Sequence, residues 1–123
     1  MNKKVIVLLA EGFEEIEALA TVDILRRGGV ECQTIALRDN KVAGSHSIPV
    51  YTDAKLDEIN PQDYDMVVLP GGLPGADHLR DDERVIELVQ DYASDTTKYI
   101  AAICAAPQVL RSEEHTSELK SRI

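Results

Sequence analysis

Lys98-Tyr99-Ile100-Ala101-Ala102-Ile103-Cys104-Ala105-Ala106-Pro107 is the stretch on which the fold turns. Tyr99, Ile100 and Ile103 favour a strand. Pro107 suits the first turn of a helix, where its missing N–H costs nothing. The alanines between them let backbone pass close to backbone. The stretch therefore reads as a short buried strand that runs into one cysteine and turns into a helix, the geometry of a nucleophile elbow. A cysteine at such a junction sits beside unpaired helix N–H groups, which together with the helix dipole favour the thiolate. An inert buried cysteine fits the same ten residues equally well.

Working back from this strand, similar units recur. Asp65 to Leu69 reads as a buried strand, followed by Pro70-Gly71-Gly72-Leu73-Pro74-Gly75, a loop too rich in Gly and Pro to be regular. Asp81 or Asp82 can cap a helix through Tyr92, with Val85, Ile86, Leu88 and Val89 as its apolar face. At the start, Lys3 to Ala10 is a nearly unbroken apolar run, the mark of a strand covered on both faces. Glu11-Gly12-Phe13 turns the chain into a helix from Glu14 to Arg27. Ile16, Leu19, Ala20, Ile24 and Arg27 fall at helical spacing, and Gly28-Gly29 ends the helix. Val30 to Leu37 is the next strand. Strand, helix, strand with short links is a right-handed βαβ unit, and so a parallel sheet. Val42 to Tyr51, broken by Gly44 and Pro49, reads as short irregular strands or a hairpin at the sheet edge. Thr52-Asp53 could cap a short helical turn through Ile59, which Asn60-Pro61 breaks. The expected fold is α/β: a flavodoxin-like doubly wound parallel sheet, incomplete at the carboxyl end.

Composition bounds the function. The chain has 123 residues, 44% of them apolar, and a formal net charge of −9. That allows one domain with a modest core. The acidic balance disfavours nucleic acid and anionic membrane surfaces, whose binding is carried by Lys and Arg. The apolar run at the start is too short for a signal peptide and is followed at once by Glu11, Glu14 and Glu15. No stretch is long enough to span a membrane. Cys32 and Cys104 make no disulfide framework, so a reducing, cytoplasmic location is expected.

After Leu110 the apolar periodicity stops. Arg111 to Ile123 matches, almost residue for residue, the translation of a sequencing-adapter read-through, and its charges cancel. The expected organisation is an amino-terminal domain piece over residues 1–110 and a non-native tail over 111–123.

In open parallel sheets, ligands bind beyond the carboxyl ends of the strands. Three segments meet there: Glu11 to Glu17, Pro70 to Gly75, and Cys104 to Pro107. The glycine loop can present bare N–H groups. With the N–H of Cys104 or Ala105 these could hold the oxyanion formed when a thiolate attacks a carbonyl. A carboxylate from the first helix could move the proton. Glu17, beside the apolar stripe, is the candidate for an inward-facing acid, which is costly unless paired. Glu14 and Glu15 read as solvated residues that complement the helix dipole. His46 and His78 read as solvated loop residues, and Cys32 as core. No His/Cys cluster has metal-ligand spacing, and no phosphate-binding loop is present.

With these residues in place, the chain resembles the DJ-1/PfpI superfamily, in its DJ-1/ThiJ/YajL-like branch. The resemblance rests on the Val5–Ala10 strand with Glu11-Gly12-Phe13-Glu14-Glu15-Ile16-Glu17, on Val22-Asp23-Ile24-Leu25-Arg26-Arg27-Gly28-Gly29, on Tyr64-Asp65-Met66-Val67-Val68-Leu69-Pro70-Gly71-Gly72, and on Ile103-Cys104-Ala105-Ala106-Pro107. It implies Cys104 as an oxidisable nucleophile, Glu17 as its protonated partner, and Gly71, Gly72 and Ala105 as backbone donors around the site. Ala105 stands where the protease-like branch has a histidine, which counts against peptidase chemistry. Many relatives have Gly at the position of Ala106. His46 stands where some relatives have an Arg near the pocket. Relatives also continue beyond the elbow helix and bring a histidine to the cysteine. His115, in the tail, is not expected to take that role.

The activity implied is cofactor-independent glyoxalase or deglycase chemistry on methylglyoxal-type aldehydes and their adducts. The partners implied are a small aldehyde or a glycated protein and, at full length, a second copy in a homodimer, with the first helix as a plausible contact. Other readings are a redox sensor or chaperone built on oxidation of Cys104, an inactive fragment that aggregates through exposed apolar faces, and a glutamine amidotransferase. The last expects glycines on both sides of the nucleophile and a downstream histidine, which the sequence lacks.

Overall fold

The computed structural model describes residues 3–103. Cys104, Ala105, Ala106, Pro107, the elbow helix and the 111–123 tail, all singled out above, lie outside the described residues.

The first strand, β1 (Lys4–Leu9), is buried from Val5 onward. Its side chains alternate between two cores. Ile6 and Leu8 face one core, and Val5, Val7 and Leu9 face the other. Covering both faces is what makes its sequence a continuous apolar run. Helix α1 (Glu15–Arg27) follows. Glu14 is its N-cap, whose carboxylate accepts from the N–H groups of Ile16 and Glu17. Strand β2 (Glu31–Ala36) pairs parallel to β1.

Strands β3 (Lys41–Ala43) and β4 (Pro49–Tyr51) form an antiparallel hairpin, as the broken Val42–Tyr51 segment suggests. The hairpin is a separate two-stranded sheet, linked to the β1–α1 turn by a bridge between Phe13 and Gly44 and by the Ala43 N–H, which donates to the Glu11 carboxylate. Where the sequence suggested a helical turn from Thr52 through Ile59, residues 54 and 55 form the edge strand β5 (Ala54–Lys55) beside β2. Only Leu56–Glu58 is helical, as a 3₁₀ turn. The reason is Asp53. Its carboxylate does not cap that turn but accepts from the Thr34 N–H and from Arg26, which pulls the chain onto β2.

Strand β6 (Met66–Leu69) pairs with the other side of β1. The Gly-Pro loop after it ends one residue sooner than its composition suggests, because Gly75–Arg80 forms a short helix, α2. His78 therefore sits on a helix rather than in a loop. Helix α3 (Glu83–Ala93) is capped by Asp82 and buries Val85, Leu88, Val89 and Tyr92. Strand β7 (Tyr99–Ala102) closes the described sheet beside β6.

The sheet runs β5-β2-β1-β6-β7, and every pairing is parallel. This is the flavodoxin-like α/β architecture that the sequence pointed to. Strand order reverses direction between β1 and β6, which makes their carboxyl ends the switch point. The core holds the fold. Each fully buried Ile, Leu or Val contributes roughly 1.5–3 kcal/mol, whereas an exposed ion pair such as Arg27–Asp23 contributes at most about 1 kcal/mol.

The face that α1 turns inward is only partly the one its apolar spacing defines: Leu19 packs against the core, but the isoleucines do not. Ile16 is 75% exposed, Ile24 is 66% exposed and Ala20 is exposed, while Glu15, Ala18 and Val22 are buried. Leu19 and Leu25 are partly buried and pack against the same core as Ala18 and Val22.

Candidate active site at the carboxyl ends of β1, β6 and β7

The segments expected to converge do so, as far as they are described. The Glu14 N–H donates to the Gly71 carbonyl at 2.9 Å, and the Gly71 N–H donates to Glu17 Oε1 at 3.0 Å. The first turn of α1 is thus tied twice to the loop after β6. Glu17 is half-buried and turned toward that loop. The sequence singled out this acid, and the structure places it against the glycine pair.

Gly72 has φ +97° and packs against the β1–α1 turn so closely that a Cβ would lie 2.5 Å from the Glu14 nitrogen. A side chain there would meet backbone, not another mobile side chain. Gly72 is therefore a steric requirement as well as turn chemistry. The Gly71 N–H is given to Glu17 in this arrangement, so the loop holds the acid in place. The Ile103 N–H donates to the Leu69 carbonyl at 3.1 Å, so the end of β7 stays in the ladder beside the Pro70–Gly71 segment. Cys104 and Ala105, next in sequence, lie outside the described residues.

Glu15 departs most from its expected role. It is 6% exposed, so it is not solvated. Its Oε1 accepts from His46 Nδ1 at 2.9 Å, and its Oε2 accepts from the His46 N–H at 2.8 Å and the Ile48 N–H at 3.4 Å. Burial works against its ionisation, but the bonds from His46 and Ile48 prevail and pull its pKa down to about 2. The same contact raises the pKa of His46. Glu15 fits because Gly44 has no side chain: a Cβ there would lie 2.3 Å from the carboxyl carbon. Glu14 Oε2 is 3.8 Å from His46 Nδ1. Periodicity could not reveal this cluster, because its members come from two elements 31 residues apart. The one signal was an acid in the first turn facing a side-chain-free position in the hairpin.

Cys32 is buried and its thiol pKa is raised by burial, as suits a core cysteine. A cleft of about 440 Å³ opens beside the ends of β1 and β2, lined by Leu9, Glu11, Arg38, Lys41, His78 and Asp81 among others. Glu17, Gly71 and Gly72 do not line it. The switch point, not this cleft, is where acid and glycine loop meet. Among the described residues, no helix is long and apolar enough to cross a membrane.

A parallel doubly wound sheet with an acid held against a glycine loop at its switch point defines a class: flavodoxin-like α/β proteins with a candidate site at the β1/β6 strand ends. The DJ-1/PfpI family model matches residues 3–120, and the chain belongs to that family. Protein/nucleic acid deglycase 2 of Escherichia coli is 34% identical over 118 residues, covering 93% of this chain and 66% of the relative. A deglycase of Thermococcus kodakarensis is 32% identical over 109 residues, covering 89% and 64%. The crystal structure of Drosophila melanogaster DJ-1beta superposes with a TM-score of 0.86 at 37% identity, covering 91% of this chain and 60% of that one. The chain spans 24% of the length of DJ-1 homolog B of Arabidopsis thaliana and 66% of that of the Escherichia coli relative.

Proposed function

We propose that the chain carries the nucleophile and the acid of a DJ-1-like, cofactor-independent glyoxalase or deglycase that acts on methylglyoxal-type aldehydes and their adducts. The observation that supports this reading most directly is Glu17 held by the Gly71 N–H, at the strand end toward which Ile103 leads. Two relatives bear the name deglycase.

In this reading the thiolate of Cys104 adds to the aldehyde carbon and forms a hemithioacetal. The N–H groups of Gly72 and Ala105 hold the oxygen that gains charge. Glu17 takes the proton from the former aldehyde carbon and delivers it to the neighbouring carbonyl carbon. Water then releases the thioester as a lactate-type hydroxy acid and restores the thiol. For methylglyoxal the sum is one aldehyde and one water to one hydroxy acid. With a glycated amine, the C–N bond of the adduct breaks as the C–S bond forms, the amine leaves with a proton, and the resulting hemithioacetal follows the same route. Glycated protein suits the acidic surface better than glycated nucleic acid, although the name of the Escherichia coli relative includes both.

The second copy expected of the full-length protein has a surface to meet. Ile16, Ala20 and Ile24 form an exposed stripe along α1.

The test is turnover of methylglyoxal by the purified chain and by Cys104→Ser. Loss of turnover in the variant supports the nucleophile, and unchanged turnover removes it. If the wild type shows no turnover while mild peroxide adds two oxygens at Cys104 by intact mass, redox sensing replaces the enzymatic reading.

A further inference from the structure

The joint between α1 and the β3–β4 hairpin brings together two carboxylates and an imidazole that the reaction above does not use. One ligand atom from each of Glu14, Glu15 and His46 lies within 4.8 Å of the others. We propose that these residues form a binding site for a divalent transition-metal ion of the zinc type.

The geometry is close to what such an ion needs. Bonds of about 2.1 Å at a tetrahedral angle set ligand atoms roughly 3.4 Å apart. His46 Nδ1 is 2.9 Å from Glu15 Oε1 and 3.8 Å from Glu14 Oε2, so the two distances bracket that value. A small swing of the imidazole toward Glu14 equalises them. The ion then takes the place of the proton on Nδ1, which passes to the buffer. The His46 side chain is 69% exposed, so the remaining coordination positions open to water.

The ligands are held from behind, as metal ligands commonly are. Glu14 Oε1 is fixed by the N–H groups of Ile16 and Glu17, with Oε2 turned to the imidazole. Glu15 Oε2 is fixed by the N–H groups of His46 and Ile48, while Ser45 Oγ lies 3.5 Å from Oε1. The helix start adds a positive partial charge of about one half. Two carboxylates outweigh it. One imidazole with two carboxylates suits zinc, cobalt or nickel better than a soft ion that seeks thiolates. The bound ion would pin the first turn of α1 to the hairpin.

The experiment is a calorimetric titration of the chain with zinc chloride, repeated on His46→Gln and Glu14→Gln. Glutamine at 46 keeps a donor for Glu15, and glutamine at 14 keeps an oxygen for the helix cap, so both variants should fold, as circular dichroism would check. The expected result is one ion per chain, with affinity at least about tenfold weaker in His46→Gln and also weaker in Glu14→Gln. Cobalt(II) bound in place of zinc should show no sulfur-to-metal charge-transfer band. Absence of saturable binding, undiminished affinity in His46→Gln, or a charge-transfer band that reports a thiolate ligand would each overturn the proposal.

Discussion

The backbone N–H of Gly71 donates to the carboxylate of Glu17 at 3.0 Å, which joins the loop after β6 to the first helix across the switch point of the sheet. Position and chemistry of the acid can be separated there. Glu17→Gln keeps an acceptor for the N–H, whereas Glu17→Ala leaves it without this partner. The expected outcome is loss of methylglyoxal turnover in both variants. Stability should stay near wild type in the first and fall by about 1 kcal/mol in the second. Urea unfolding beside the activity assay checks it, and full turnover in Glu17→Gln would show that the acid is only structural.

Gly72 and Gly29 both have positive φ, at +97° and +83°, but differ in their surroundings. A Cβ at 72 meets the Glu14 nitrogen, while one at 29 meets nothing within 4 Å. Gly29→Ala should cost about 1 kcal/mol from backbone conformation alone. Gly72→Ala should cost more, roughly 3 kcal/mol, because conformational strain and steric overlap add. Equal shifts in thermal midpoint would show that the tight approach of loop to helix start is not maintained in solution.

Glu15 and Gly44 should be energetically coupled. Gly44→Ala alone drives a methyl group into the Glu15 carboxylate. In a Glu15→Ala background that obstacle is gone. A double-mutant cycle should give a favourable coupling of about 1–3 kcal/mol. Additive losses would contradict the buried position of Glu15.

Asp82 caps α3 and pairs with Arg84. Burial opposes its ionisation, but the Arg84 hydrogen bonds win, and its pKa is lowered. A folded-state pKa below the unfolded one gives stability that is present above the unfolded value and lost as pH falls through the folded one. Asp82→Ala should therefore cost about 1 kcal/mol at neutral pH. The gap from wild type should narrow as pH drops below about 3.9. Urea midpoints for both proteins at pH 7 and pH 3 measure it.

The exposed stripe on α1 gives a prediction about association. Ile24→Glu places a charge amid Ile16 and Ala20 and should shift a dimer toward monomer in sedimentation velocity without lowering the thermal midpoint of the monomer. An unchanged sedimentation coefficient for a dimeric wild type would move the contact elsewhere.

Local pattern alone was enough for β1, β6, β7 and α3. The run Val5–Ala10 and the spacing of Val85, Leu88 and Val89 carry their own period, and Asp82 its own cap. The acid Glu17 and the pair Gly71-Gly72 were legible because a parallel sheet brings the ends of neighbouring strands together whatever the side chains. Helix α2 was hidden, because Pro74 and Gly75 look like loop when read without the helix that starts on them. The sidedness of α1 was hidden too. Of the expected stripe Ile16, Leu19, Ala20 and Ile24, only Leu19 packs on the core, beside Ala18, Val22 and Leu25, and only contact with the sheet selects that side. Glu15 illustrates the limit most plainly. An acid in the first turn of a helix is ordinarily solvated, and what buries this one is a glycine and a histidine supplied by a distant hairpin. Sequence fixes periods and caps because these act over a few residues. Which faces meet, and which charges are buried against each other, is decided only when distant elements compete for the same space.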